Sequence, residues 1–475
     1  MAMAPESLER SAWVKLAVCA AVGFSFRVLG PPSNLPPDAW HILGVFLAVI
    51  IGFLLRPLPM GPLVLLGLVV LSADGTVTLE EALSGYGDTT VWLVVAAFLI
   101  AGGVVRTGFG RRIALSLVVK LGRSMLGLGY SLCGAELLLG PIVPSNTARG
   151  GGILAPIARS LCEALDSHPD TSPQRAGSYL CQVGAHANLI AAAAFMTGMA
   201  ANPLVSKAAR DVFGIDFGWT TWALGSLVPA LVGMALLPLV LFRLEKPSLV
   251  ETLPAQQRAR EELKKMGPWT PEQKAMAAVF AILILLWTTK GVHGMGTSLV
   301  AWIGVCLLFL SRAAPWKTMI RNEQAWDTLI WLGGLLAMAN ALKNHGFVDW
   351  FAQEMGHSLG GFKGLAVVAV LALVYFYSMY AFSMLTAHIS ALATAFFAVA
   401  LAAGAPPFLT VALLAYFSNL CGCTTNYSSG PIIVYFGLGY VPSNRWFGVG
   451  FAVSLFHLAV WFGVGLPWWK LLGWW

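Results

Sequence analysis

Two polar runs, each set between apolar arms, hold the residues best placed to do chemistry. The first is Ser145-Asn146-Thr147-Ala148-Arg149-Gly150-Gly151-Gly152. It offers two hydroxyls, a carboxamide, bare backbone N–H groups and one cation. Where a helix resumes behind it, the helix N-terminus adds positive potential. Those groups suit a carboxylate or another oxyanion. A surface turn with Ser-Asn-Thr as a helix cap would use the same residue types. Against that, the flanking apolar arms, 124–142 and 153–162, are each too short to cross a bilayer and together predict a hairpin that enters and leaves on one side. The second run is Ser383-Met384-Leu385-Thr386-Ala387-His388. Its polar content is thinner, and Ser383 can bond back to its own helix. His388 stands where Arg149 stands in the first run. Ionisable groups inside apolar hairpins are expensive and usually functional.

Each hairpin is followed by a long apolar segment with its own polar break. In the first half this is Gln182 to Asn188, then Thr197 to Pro203. In the second it is Asn419-Leu420-Cys421-Gly422-Cys423-Thr424-Thr425-Asn426-Tyr427-Ser428-Ser429-Gly430-Pro431. Unwound carbonyls and hydroxyls there can coordinate a substrate or a cation. The candidate binding residues are therefore Ser145, Asn146, Thr147, Arg149, Asn188, Thr386, His388, Thr424, Thr425, Asn426 and Ser428. Glu136 is the clearest carboxylate within an apolar segment; it is expected to be protonated and packed, with lining of the hairpin as the alternative.

The elements that position these residues follow from composition. Of 475 residues, 57% are apolar and 11% charged, less than half the charged share of soluble domains. A soluble fold cannot hide that much apolar surface, so an all-α polytopic membrane protein is expected. Simple spans are expected near 12–29, 39–55, 60–74, 89–105, 219–242, 275–291, 297–311, 326–342 and 446–466. The interrupted regions are 124–162 and 363–403, read as re-entrant hairpins, and 175–206 and 407–441, read as broken helices. Arg10 and Lys15 precede an apolar run that could imitate a signal peptide. No small-x-small cleavage site follows before Arg27, so a retained first helix is expected.

Charge sorts the two faces. Arg56, then Arg106, Arg111, Arg112, Lys120 and Arg123, then the polar segment 243–274, then Arg312, Lys317 and Arg321 fall on one side if the spans alternate. By the positive-inside rule that side is cytoplasmic. Asp74, Glu80, Glu81 and Asp88 fall on the other. The midpoint also divides two similar halves. Asp88-Thr89-Thr90-Val91-Trp92-Leu93 matches Asp327-Thr328-Leu329-Ile330-Trp331-Leu332, and Thr147-Ala148-Arg149 matches Thr386-Ala387-His388, both at an offset of 239 positions. An odd number of crossings per repeat would invert the repeats, the arrangement of secondary transporters. The expected organisation is a first helix and loop in 1–37, repeat one in 38–242, a cytoplasmic linker in 243–274 and repeat two in 275–475.

Several functions are excluded. The net charge of +7 lies in short runs between spans, which argues against nucleic acid. The seven cysteines lack ligand spacing and read as reduced thiols, with no metal site. No Walker-type loop is present, so ATP does not drive the protein. No cluster of His, Asp or Cys marks an enzyme.

These motifs resemble the divalent anion–sodium symporter family, in particular its branch of 2-oxoglutarate/malate, citrate and tartrate translocators. The resemblance runs from about residue 38 to 466. It is carried by Ser145 to Gly151, Thr197 to Pro203, Thr386 to His388, and Asn419 to Gly430 with Gly437 to Val441. It implies about eleven transmembrane helices, two re-entrant hairpins, a homodimer, and an elevator-like movement of a transport domain against a scaffold. It also implies a Ser-Asn-Thr in each hairpin that clasps substrate carboxylates and helps hold sodium. Ser145, Asn146 and Thr147 keep that motif. In the second hairpin its positions fall on Met384, Leu385 and Thr386, so only the threonine survives. Thr425-Asn426 also departs from the branch's usual Thr-His. An asymmetric site leaning on the first hairpin follows.

The expected activity is alternating-access transport of small carboxylate anions: malate, succinate, 2-oxoglutarate, citrate, tartrate or a sulfonated analogue. Arg149 and His388 would stand near the family's two cation positions as built-in positive charge. At 4 Å and an effective dielectric near 20, a like charge costs about 4 kcal/mol, which disfavours sodium and favours anion exchange. No other cofactor is expected. Sodium symport is the alternative, with sodium near Asn146, Asn188, Thr386 and Thr425. An anion channel or a membrane receptor is a remoter one. The expected location is a bacterial inner membrane.

Overall fold

The computed structural model describes residues 10–249, 251–358 and 364–475. The first nine residues of the 1–37 segment, and position 363 where the second hairpin region was expected to begin, lie outside the described residues. Every named element is helical. The first half runs α1 (Arg10–Val28), α2 (Pro37–Leu55), α3 (Met60–Ala73), α4 (Leu79–Leu83), α5 (Thr89–Thr107), α6 (Phe109–Leu121), α7 (Met125–Leu139), α8 (Ala155–Ala164), α9 (Gly177–Ala194), α10 (Asn202–Phe213) and α11 (Trp219–Leu244). The linker region carries α12 (Leu253–Lys265). The second half runs α13 (Pro271–Thr288), α14 (Lys290–His293), α15 (Thr297–Leu310), α16 (Trp316–Ile320), α17 (Glu323–Asn344), α18 (Phe347–Ser358), α19 (Leu365–Tyr377), α20 (Leu385–Ala402), α21 (Pro407–Leu420), α22 (Gly430–Gly437), α23 (Ser443–Val460) and α24 (Leu466–Leu471).

Local chemistry sets the helix ends. Asp88 caps α5 by accepting from the Thr90 N–H at 2.7 Å, and Gly108 closes it in the left-handed region at φ 69. Ser124 caps α7 by accepting from Gly127, and Asn322 caps α17 by accepting from Ala325. Asp327, which the sequence match pairs with Asp88, lies inside α17 and not at its cap.

Among the described residues nine helices are long and apolar enough to cross a membrane, and Met60–Ala73, Met125–Leu139, Thr297–Leu310 and Leu365–Ala381 are shorter apolar ones. The first arms of both expected hairpins are among the short ones, whereas Leu385–Ala402, the second arm of the second, is among the nine long enough to cross. Burial separates centre from rim. All of α9 is buried, as is α21 from Leu409 to Leu420, whereas α1 buries only Cys19. α11 reaches the backbone of α9 over its small residues: Trp222 Nε1 donates to the Ala193 carbonyl at 2.8 Å and Ser226 Oγ to that of Ala194 at 2.6 Å. The rim exposes Val69 and Val70 on α3 and Leu227 and Leu231 on α11, as a lipid-facing surface does.

Both polar runs are breaks in helices. After α7 the chain leaves helical form at Gly140 and resumes as a π-helical turn over Thr147–Leu154 before α8. After α19 it passes through a 3-10 turn, Ser378–Ala381, and an extended Met384 before α20. α9 breaks at Phe195 into Met196–Gly198 and continues as α10. α21 breaks through Cys421–Thr424 and an extended Thr425 before α22.

Candidate functional site

The two hairpins each hold one broken helix. In the first half Thr197 donates to the Pro141 carbonyl at 2.6 Å, and Asn188 Nδ2 donates to the Asn146 carbonyl at 3.2 Å. In the second, the Leu385 N–H donates to the Ser428 carbonyl at 2.8 Å, and the Tyr427 hydroxyl to the Tyr380 carbonyl at 3.0 Å. The two breaks are joined in turn by Asn419 Nδ2, which donates to Asn202 Oδ1 at 2.9 Å.

The turn at the first hairpin tip runs side by side with the start of α22: Gly430 meets Thr147, Gly150 meets Pro431 and Gly151 meets Val434. A Cβ placed on Gly430 would lie 2.1 Å from Thr147 Oγ1, so the N-terminus of the π turn and that of α22 converge at these two residues. Gly150 fits between Asn188 and Pro431 for the same reason: its Cβ would lie 2.6 Å from one and 2.9 Å from the other. Two helical N-termini lying side by side favour an anion in front of them. Asn188 Oδ1 (of the residue against Gly150), Ser429 Oγ (of the residue before Gly430) and Thr425 Oγ1 at the second break are buried with no partner in the described protein. Ser429 was not among the residues singled out from sequence. Its place beside Gly430 at the start of α22 is the signal that could have found it.

Arg149 differs from the free tip cation that the sequence suggests. It is 0% exposed, and its donors turn inward. Nε donates to Glu136 Oε2 at 2.5 Å, Nη1 to the Val143 and Gly198 carbonyls at 2.6 and 2.9 Å, and Nη2 to the Asn188 carbonyl at 3.4 Å. Glu136 is therefore not an isolated packed acid, as its apolar surroundings suggest, but the counter-charge of Arg149. Its Oε1 accepts from Asn188 Nδ2 at 2.9 Å. The pair carries no net charge, so attraction for an anion falls to the helix ends and hydroxyls.

His388 repeats the pattern with neutral groups. Its Nε2 lies 2.8 Å from Ser378 Oγ and 3.0 Å from the Tyr375 carbonyl, its Nδ1 has no protein partner, and its ring lies 4.4 Å from that of Tyr375. Donation to a carbonyl puts the proton on Nε2. Tyr375 stands at the same spacing before His388 as Glu136 before Arg149, but it meets the ring through its backbone carbonyl while its phenol bonds Ser418.

The remaining candidates divide. Ser145 Oγ caps the Ala148 N–H at 3.1 Å. Thr424 bonds back to the Cys421 carbonyl at 2.8 Å, and Ser428 to that of Gly422 at 2.6 Å. These three hydroxyls hold the breaks in shape. Asn426 turns away to Ser443 Oγ at 3.3 Å. Thr386 is half-buried in the first turn of α20. Leu385, at the place of Asn146 in the first half, packs its side chain toward Gly422, whose Cβ would lie 3.4 Å away. The second tip is thus apolar where the first is polar.

Access lies on the basic face. A crevice of about 400 Å³ reaches Ala148 and Gly152 from Arg106, Thr318, Arg321 and Asn322. A neighbouring one of about 350 Å³ runs past Arg111, Ser160 and Glu262 to Gly152. On the same side Arg56 donates to the Ser383 carbonyl of the second tip at 3.1 Å. On the opposite side α10 is tied to the outer helices. Lys207 lies 3.8 Å from Asp88 and 2.8 Å from Asp211, and Lys343 3.5 Å from Asp211.

Hairpins that clasp broken helices, with orphaned polar groups where they meet and basic crevices leading in, define a multi-pass membrane transporter. The family described as sodium:sulfate symporter transmembrane region matches residues 10–475, and the chain belongs to it, the divalent anion–sodium symporters. Similar curated proteins include the putative malate transporter YflS of Bacillus subtilis, 44% identical over 97% of both chains. Dicarboxylate transporter 1, chloroplastic, of Arabidopsis thaliana is 37% identical over 99% of this chain and 85% of that one. The citrate/succinate antiporter of Escherichia coli is 32% identical over 96% of this chain and 97% of that one. Among solved structures, that of the Alcanivorax borkumensis YdaH transporter covers 98% of both chains with a TM-score of 0.59 and 15% identity, a likeness of fold alone.

Proposed function

We propose that the protein exchanges one di- or tricarboxylate anion for another across the membrane, without sodium. The observation that carries the reading is the ligand set of Arg149. Its guanidinium is held by three backbone carbonyls and a carboxylate at the meeting of a hairpin and a broken helix. Carbonyls of unwound backbone at such a place are what secondary transporters use to hold a coupling cation. Here a covalently attached cation takes them. Sodium would have to displace the guanidinium from those carbonyls; with Glu136 as its counter-charge, the like-charge repulsion expected from the sequence does not add to that.

The anion is proposed to bind where Thr147, Thr425 and Ser429 converge on the two helix N-termini. The names of the relatives, malate transporter, dicarboxylate transporter and citrate/succinate antiporter, support carboxylates of that size as cargo. A homodimer that moves by an elevator mechanism in a bacterial inner membrane completes the proposal.

A second reading, sodium symport, has an observation of its own. Asn188 Oδ1 and Thr425 Oγ1 are buried oxygens without a protein partner, and both belong to the set expected to hold sodium. Thermal unfolding of the purified protein with di- and tricarboxylates, with and without sodium, separates the readings. Exchange predicts that malate, succinate or citrate raises the midpoint equally in sodium and in choline. A shift that requires sodium would replace exchange with symport.

A further inference from the structure

A groove of about 830 Å³ is walled by α1, α2 and α3, away from both hairpins. α1 contributes Leu16, Ala20, Gly23 and Arg27 to it, and α3 contributes Leu63, Gly67, Val70 and Asp74. The two sets share one spacing, which keeps each on a single face of its helix. α2 packs on both helices and contributes His41, Val45 and Ala48. The walls rest directly on it, since a Cβ on Gly67 would lie 2.8 Å from Val49 and the Cβ position of Gly23 is 3.5 Å from Ala48. Phe24, Leu66 and Val70 stay exposed along the rim.

The groove is polar at one end only, where Arg27, His41 and Asp74 meet. Arg27 Nη1 touches both ring nitrogens of His41, Nε2 at 3.3 Å, and lies 3.5 Å from Asp74 Oδ2. Asp74 Oδ1 accepts from the Thr76 N–H at 3.0 Å. At the same level Trp40 Nε1 donates to the Leu29 carbonyl at 2.9 Å, and tryptophan is enriched where a membrane meets water. The other side chains along the groove are apolar.

Depth and charge together select the occupant. Leu16 stands eleven positions before Arg27, and Leu63 eleven before Asp74. Each interval is about 16 Å of helix. That is the depth of one leaflet, half of a hydrocarbon core about 30 Å thick. A neighbouring transmembrane helix would run the whole length of α1, whereas an acyl chain anchored at the interface runs half of it. Arg27 is half-exposed, and its guanidinium has five donors, so several are left for a phosphate. Asp74 Oδ2 can accept from an ammonium. Exposed ion pairs contribute little, so a ligand can insert between these two at small cost. One charge of each sign suits a headgroup that also carries both, and gives an anionic headgroup no net attraction.

We propose that this groove binds one phospholipid with a zwitterionic ethanolamine headgroup, its acyl chain lying along α2, its phosphate on Arg27 and its ammonium on Asp74. The lipid covers a face of α1 that the protein leaves bare, for only Cys19 of that helix is buried.

Native mass spectrometry of the whole protein in detergent tests this. Phosphatidylethanolamine and phosphatidylglycerol with identical chains are supplied in equal amounts. One phosphatidylethanolamine per chain should stay bound, favoured several-fold over phosphatidylglycerol. Asp74→Ala leaves a lone cation and should shift the preference toward phosphatidylglycerol. Arg27→Ala should weaken retention of both lipids several-fold. Ala20→Phe fills the groove from an exposed position and should remove the bound lipid. Equal retention of the two lipids by the wild type overturns the proposal, as does a preference that survives Asp74→Ala or retention unchanged in Ala20→Phe. Dimers lost in Ala20→Phe with no lipid lost would make the groove a contact between copies, which also overturns it. Should the variants not fold, the competition on the wild type decides alone.

Discussion

Arg149 is a cation that the fold supplies to itself, and it is bound to Glu136 with no solvent on either partner. Removing one member of such a pair strands the other charge and costs about 3–5 kcal/mol. Arg149→Ala is therefore expected to lower stability by that order and to abolish exchange. The double replacement with Glu136→Ala recovers most of the stability and none of the transport. Chemical denaturation in detergent reads the first, and counterflow the second. If Arg149→Ala transports normally, the guanidinium is not part of the site. Sequence showed that Arg149 and His388 sit at matched places, because the repeat offset aligns Thr147 with Thr386. It did not show what each basic group bonds. Glu136 and Arg149 are separated by the whole hairpin turn, so their pairing depends on how α7 folds back. The equal spacing of Glu136 to Arg149 and of Tyr375 to His388 was the available clue. Ser429 was overlooked beside Ser428 because a hydroxyl bonded to its own turn and one facing a site look alike in sequence.

The breaks were legible as interruptions of helices, since polar runs within apolar segments are costly anywhere but around a protein-lined site. Which turn touches which was not, and Gly430 shows why. Its importance comes from Thr147, far away in the chain. Gly430→Ala would push a methyl group to within 2.1 Å of Thr147 Oγ1. Overpacking of that kind costs about 1–3 kcal/mol. It is expected to raise the KM for the anion more than it lowers the midpoint of unfolding. An unchanged KM would mean that the two tips do not frame the site.

The linker helix α12 offers a test at the same scale. Glu262 accepts from Arg111 at 2.7 Å and from Ser160 at 3.0 Å, joining α6 to the outer arm of the first hairpin. Burial alone would raise its carboxyl, but the hydrogen bonds from Arg111 and Ser160 outweigh it and hold the group below the usual carboxylate range. A depressed carboxylate stabilises the docked state fully above its free pKa, about 4.3, and the contribution is lost as pH falls through the lower, folded value. Hydrogen exchange over 253–265 should stay slow at neutral pH and quicken only on the acid side of that value. Fast exchange at neutral pH would show that α12 is not docked.

At the scale of the whole molecule, the crevices on the basic face and the ion pairs of Lys207 and Lys343 on the other leave the first hairpin reachable from one side. Composition made the membrane evident from the start, and charge patterning told its two faces apart. Neither could reveal that the scarce internal charge is already neutralised within the protein. The resident guanidinium, which fills the carbonyls a coupling ion would use, is the reason to expect exchange. The most direct test is counterflow in proteoliposomes. Labelled succinate should accumulate against internal unlabelled dicarboxylate at the same rate in sodium and in choline. It should not accumulate without internal anion, even under an inward sodium gradient. Uptake driven by that gradient into vesicles free of dicarboxylate would contradict exchange outright.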